Sequence, residues 1–177
     1  MTDLNPIIAD RFTEHLEVFG KTMEHMDTIQ EIAYRCKAAL ENGNKILFCG
    51  NGGSAADSQH LAAELICRFK KERRSLAGIA LTTDTSALTA IANDYDFEFV
   101  FARQVEGLGR TGDVLIGIST SGNSKNVVKA AEMARSIGMH TIAFTGEGGG
   151  KLGELCDITL AIPSNVTARI QEMHILA

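Results

Sequence analysis

His60 and Glu64 stand four residues apart, so on a helix both face the same way. An imidazole beside a carboxylate serves either as two ligands for a metal such as zinc or as two proton carriers at neutral pH. The same spacing also describes a surface ion pair, or a histidine packed at the edge of a core. Position distinguishes the pair, because it begins within two turns of the loop Asn51-Gly52-Gly53-Ser54. Glycines let a backbone come close to a polar ligand, and the first amides of the following helix offer donors to an anion or a hydroxyl.

A second run, Ser119-Thr120-Ser121-Gly122-Asn123-Ser124, sets four hydroxyls and several backbone amides around another helix start. Phosphate can be held in this way without a lysine. A structural turn capped by serine shares part of the pattern, but four hydroxyls exceed what a cap requires. The Gly-Lys-Ser/Thr end of a Walker A loop is absent, as is Gly-x-Gly-x-x-Gly, which counts against a nucleotide. Asn93-Asp94 closes a helix-like segment and reads as a cap or turn. Residues 146–150 read as a plain connection. Arg169, Gln171, Glu172 and His174 crowd one helix and read as a solvated face from which some could reach a neighbour's crevice.

Both candidate loops follow apolar runs and precede helix-like segments. Strands are expected near 45–49, 78–82, 113–118, 141–145 and 157–161, with helices near 54–69, 85–92, 97–108, 123–137 and 150–154. This alternation predicts a doubly wound α/β fold with a parallel sheet, right-handed crossovers and one polar crevice along the carboxyl edge. Ahead of it, apolar positions recur at three and four from Ile7 through Leu16, Phe19, Met23 and Met26, the period of an amphipathic helix. A second helix should span about 28–41 and end at Asn42-Gly43. Two helices before any strand exceed what the sheet can cover. The N-terminal helical hairpin, residues 1–43, is therefore expected to serve oligomerisation, and residues 44–177 to form the α/β domain, whose closing helix is cut short at Ala177.

The 177 residues suit one domain with a substantial core, and 45% of them are apolar. Seventeen basic against twenty-two acidic residues give a net charge of -5, which provides no general attraction to nucleic acid or anionic lipid. The basic stretch 68–74 reads as a solvated helix end or a subunit contact. No apolar run approaches the roughly 20 residues of a spanning helix, and the first twenty residues lack the plan of an export signal. A cytoplasmic protein is expected. Cys36, Cys49, Cys67 and Cys156 are isolated in sequence, as fits reduced, mostly buried thiols.

Taken together, Cys49-Gly-Asn-Gly-Gly-Ser54, His60-x-x-x-Glu64, Asn93-Asp94, Gly117-Ile-Ser-Thr-Ser-Gly-Asn-Ser124 and Arg169-Ile-Gln-Glu-Met-His174 resemble the bacterial phosphoheptose isomerases of the sugar isomerase (SIS) domain family. The resemblance covers nearly the whole chain. It implies a flavodoxin-like α/β sandwich with a five-stranded parallel sheet. It further implies conversion of sedoheptulose 7-phosphate to D-glycero-D-manno-heptose 7-phosphate, on the route to ADP-heptose and the lipopolysaccharide core. Asn51, Gly52, Gly53, Ser54, Asn93 and Asp94 would contact the sugar, Ser119, Thr120, Ser121 and Ser124 would hold the phosphate, and Gln171 would contribute to substrate binding. Glu64 would be the base, and His60, Glu64 and Gln171 would bind zinc in a homotetramer with active sites at subunit contacts. The family's second acid-base histidine would fall at position 179, past Ala177, so on the resemblance these 177 residues hold only half of the proton machinery. A related, non-catalytic branch binds the replication initiator DnaA; it loses the glutamate at the position of Glu64 and alters the glycine and serine loops, whereas Glu64, Gly53 and Ser121 are present here.

Overall fold

A computed structural model describes residues 4–177. Five parallel strands, β1 (Ile46–Gly50), β2 (Gly78–Ala80), β3 (Val114–Ser119), β4 (His140–Thr145) and β5 (Ile158–Ala161), form one sheet in the order β2-β1-β3-β4-β5. A wholly parallel sheet needs cover on both faces. Alternation along the strands supplies two apolar surfaces: Ile46, Phe48, Val114, Ile116 and Ile118 point one way, and Leu47, Cys49 and Leu115 the other. The first surface is covered by α2 (Met26–Glu41), α3 (Gly53–Ile66) and α8 (Thr167–Leu176). The second is covered by α4 (Thr85–Asp94), α5 (Ala102–Leu108), α6 (Lys125–Ser136) and α7 (Gly150–Leu155). Every residue of β1 and β3 is buried, as expected for central strands of a three-layer sandwich.

The expected strands and helices recur with small shifts. The helix expected over 97–108 divides into a tight turn, Phe97–Phe99, and α5; the Asp96 carboxylate accepts from the Glu98 amide and closes the turn. α3 stops at Ile66, where the Arg73 guanidinium folds back and donates to the carbonyls of Glu64 (2.7 Å) and Leu65 (2.9 Å). Such groups would otherwise be left without partners at a helix C-terminus. At the N-terminus α1 (Asn5–Thr22) is joined to α2 by the single turn Met23–His25. The backbone stays helical on both sides of this turn, so α1 and α2 follow one another as a long, kinked helix and not as the expected hairpin, and the two halves have different partners. α2 buries Ile32, Ala39 and Leu40 against the sheet, while α1 leaves Ile7, Ile8, Phe12 and Leu16 more than half exposed. Among the described residues, no helix is long and apolar enough to cross a membrane.

α8 departs from the solvated face expected of it. Arg169 and His174 are buried. Arg169 donates to the Arg11 carbonyl (2.6 Å) and to Glu172 (2.5 Å), and Glu172 also meets His15 at 2.6 Å, which ties α8 to α1. His174 is 1% exposed beside the Phe144 ring, and its Nε2–H donates to the Thr145 carbonyl at 3.0 Å, leaving Nδ1 without a partner. A carbonyl only accepts, so Nε2 carries the proton. Burial pushes the His174 pKa down to about 4, against a smaller upward pull from that hydrogen bond. The folded state therefore takes up this proton less readily than the unfolded state. The associated stability is complete above the ordinary value of 6.5 and is lost as pH falls toward 4, by about 3 kcal/mol in full. Urea unfolding at pH 7 and pH 5 is expected to show this loss in the native chain. In His174→Gln the pH dependence over that interval should be reduced; an unchanged dependence would assign it to other groups.

Candidate active site

The sheet changes direction between β1 and β3. From β1 the chain leaves through α3 to the outer strand β2; from β3 it leaves over the opposite face through α6 to β4. Ligands of open parallel sheets bind at such a switch point, beyond the carboxyl ends of the strands. Both candidate loops are there. Asn51 and Gly52 follow Gly50 at the tip of β1, and Gly53 and Ser54 begin α3. Ser119 ends β3, and Thr120 to Ser124 lead into α6. The N-termini of two helices, of 14 and 12 residues, thus flank one crevice and bring partial positive charge to it.

Within the serine loop the hydroxyls converge. Ser119 Oγ lies 2.9 Å from Ser124 Oγ and 3.5 Å from Ser121 Oγ. Ser124 occupies the cap position of α6, yet its side chain makes no cap hydrogen bond. The hydroxyls converge beside a helix N-terminus, and they also accept from the loop's own amides, Ser121 Oγ from Asn123 (3.2 Å) and Ser119 Oγ from Ser124 (3.4 Å), so part of the pattern is the turn's own bonding. Thr120 is half-buried, and its carbonyl accepts from the Gly146 amide at 3.0 Å.

Residues 146–150, expected to be a mere connection, buttress this loop. The Gly122 carbonyl accepts from the Leu152 amide (2.9 Å), and Asn123 Oδ1 accepts from the Lys151 amide (3.2 Å). Gly122 has φ +64°, and a Cβ there would run into the Gly149 carbonyl. The glycine is required twice over, by conformation and by close approach. Runs of glycine carry no sign of which loop they touch, so the sequence reading missed this contact.

The two ligand loops are joined by a side chain absent from the sequence expectations. Asn51 Nδ2 donates to Asn126 Oδ1 at 2.9 Å, and Asn126 Nδ2 returns a bond to Asn51 Oδ1 at 2.8 Å. Asn126 is buried, and its Oδ1 also accepts from the Val127 amide. A pocket of about 440 Å³ opens against this pair, bordered by Asn51, Ser124, Lys125, Asn126, Asp96, Phe97 and Glu98. Asn93 and Asp94 are exposed at the end of α4 and bond to each other at 2.8 Å. The neighbouring residues Asp96 to Glu98, rather than these two, border the pocket.

His60 and Glu64 share the face foreseen for them, Nε2 to Oε1 3.5 Å, with side chains 57% and 32% exposed. Glu64 lies eleven residues beyond Gly53, ~16 Å along α3 at helical rise. It is level with the opposite edge of the sheet, where the Leu65 side chain packs against Gly78 at the start of β2. Gln171, by contrast, lays its carboxamide against Gly53, so closely that a Cβ there would collide with it. The three residues expected to bind zinc are thus not gathered within one protomer. Among the described residues, no cluster of three or more His, Cys, Asp or Glu side chains is placed to hold a metal. No thiol lies ready for chemistry at the crevice either: burial raises Cys156 to about 11 and drives Cys49 up further.

Residues 10–146 match the model of the SIS domain family. A phosphoheptose isomerase of Campylobacter jejuni subsp. jejuni serotype O:6 is 66% identical over 170 residues, covering 96% of this chain and 91% of that protein. One from Aliarcobacter butzleri is 61% identical over 170 residues, covering 96% and 90%. The solved structure of a phosphoheptose isomerase from Neisseria gonorrhoeae superposes with a TM-score of 0.93 at 48% identity, covering 98% of this chain and 94% of that one. With its five-stranded parallel sheet and paired polar loops at the switch point, the chain belongs to the phosphoheptose isomerase family of SIS-domain proteins.

Proposed function

We propose that the chain converts sedoheptulose 7-phosphate to D-glycero-D-manno-heptose 7-phosphate, in the cytoplasm, on the route to ADP-heptose and the lipopolysaccharide core. One observation carries the reading: three convergent hydroxyls, Ser119, Ser121 and Ser124, lie one strand away from the Asn51-Gly52-Gly53 loop, in a chain 61% identical to a named phosphoheptose isomerase. The serine loop and the start of α6 take the phosphate. The glycine loop takes the sugar at its other end, with Gln171 over Gly53 and the Asn93-Asp94 corner as further polar contacts. DnaA binding is the weaker reading, because Glu64, Gly53 and Ser121 are all present.

The chemistry moves a carbonyl from C2 to C1. A base removes a proton from C1, the electron pair becomes the C1–C2 double bond while the C2 carbonyl opens and its oxygen takes a proton, and the resulting enediol gains a proton at C2 as the C1 hydroxyl gives up its own and becomes the carbonyl. Glu64 is the base, and His60, 3.5 Å away, is the second proton carrier beside it. Holding the distant phosphate contributes to rate, since binding energy from a non-reacting end positions the reacting one.

Glu64 cannot serve its own protomer's crevice from ~16 Å along α3, so we assign it to the crevice of a neighbouring copy. The exposed apolar residues of α1 favour assembly, and a homotetramer with shared sites accommodates both features. The zinc implied by the resemblance does not fit the residues of one protomer, and no step is derived through it.

Glu64→Gln is expected to lower turnover by about 10²- to 10⁴-fold while leaving sedoheptulose 7-phosphate binding, by calorimetry, within a few-fold; unchanged turnover would remove Glu64 from the mechanism. Co-expression of Glu64→Gln subunits with inactive Ser119→Ala/Ser124→Ala subunits should regain activity, because a mixed assembly contains sites with an intact loop from one copy and Glu64 from another. Mixed assemblies as inactive as their parents would place both groups on the same protomer.

A further inference from the structure

We infer that Asn126 is a positioning residue for the reaction, and that the Asn51 side chain acts with it as a clamp setting the distance between the sugar and phosphate subsites. The inference rests on the phosphosugar reading above. It also revises that reading, because the Asn51 carboxamide is engaged by protein and leaves mainly the loop backbone to meet the sugar.

The geometry is specific. The two amides bond reciprocally, at 2.9 and 2.8 Å, across a sequence separation of 75 residues. They join the loop after β1 to the first turn of α6 at the point where the connections diverge. No backbone hydrogen bond joins residues 51–54 to residues 120–126 among the described residues. Both amides border the 440 Å³ pocket, and Asn126 Oδ1 is fully used by Asn51 and the Val127 amide. Ser124, which bonds Ser119 in the phosphate subsite, is two residues from Asn126. A shift of Asn126 would therefore move one subsite relative to the other while leaving each loop internally bonded. Misplacing a reacting group by about 1 Å can cost 10²-fold in rate.

Asn126→Asp is the sharpest probe. It keeps an acceptor for the Val127 amide but leaves one oxygen facing another whichever way Asn51 turns. With wild-type turnover of sedoheptulose 7-phosphate as reference, Asn126→Asp is expected to lower kcat by about 10²-fold, with KM changed less than kcat and the affinity for inorganic phosphate unchanged. Asn51→Ala and Asn126→Ala should each reduce kcat/KM, and the double variant should be no worse than the poorer single, as for two halves of one device. The clamp is overturned if Asn126→Asp retains wild-type kcat, if phosphate affinity falls in step with turnover, or if the two alanine effects multiply. Should Asn126→Ala fail to fold, the Asp variant and Asn51→Ala decide the question. A wild-type protein that binds phosphate but never turns over the heptulose would instead refute the underlying reading, and the clamp's catalytic role with it.

Discussion

A reciprocal pair of carboxamides, Asn51 with Asn126, holds together two loops that the topology otherwise sends apart. The loop beyond β1 turns onto one face of the sheet and the loop beyond β3 onto the other. Divergence opens the crevice and aims two helix N-termini at it, but it also removes any backbone ladder between the loops. Side chains must therefore fix the gap. Two neutral amides do so without burying a charge, which would need a partner of its own.

The surroundings serve the same end. Residues 146–152 brace the serine loop from the β4 side, through Gly146 on Thr120 and Leu152 on Gly122. α8 closes over the glycine loop with Gln171, and it is held by the buried Arg169 and by His174, anchored on the Thr145 carbonyl. Rigidity at the strand tips thus comes from three separate elements. The face carrying His60 and Glu64 is different in kind: exposed, distant from the crevice of its own protomer, and on the same molecule as an α1 stripe with no partner in the monomer. On the proposed reading, a crevice that grips and a carboxylate that reacts sit at opposite ends of α3, and assembly would bring them together.

Periodicity and turn chemistry made much of this legible. The alternation of apolar runs with glycine- and serine-rich loops gave the five strands, their parallel sense and the edge that carries the loops. The Ser119–Ser124 cluster was visible as more hydroxyl than a cap needs, and the shared face of His60 and Glu64 followed from a spacing of four. Contacts between segments distant in sequence were not legible. An asparagine two residues past the loop carries no mark of its partner 75 residues earlier. Residues 146–150 look like any connection until Gly122 is seen pressed against Gly149. The burial of His174 was hidden for a related reason, since a polar helix end becomes interior only once α1 and the tip of β4 close around it.

The central claim is that the two loops form one phosphosugar crevice completed by a neighbouring copy's carboxylate. A crystal structure of the Glu64→Gln variant with sedoheptulose 7-phosphate bound tests it most directly. The account predicts phosphate oxygens within hydrogen-bonding distance of Ser119, Ser121 and Ser124. It also predicts C1 and C2 beside residue 64 of another protomer. Phosphate bound away from the serine loop, or C1 and C2 remote from every copy of residue 64, would contradict it.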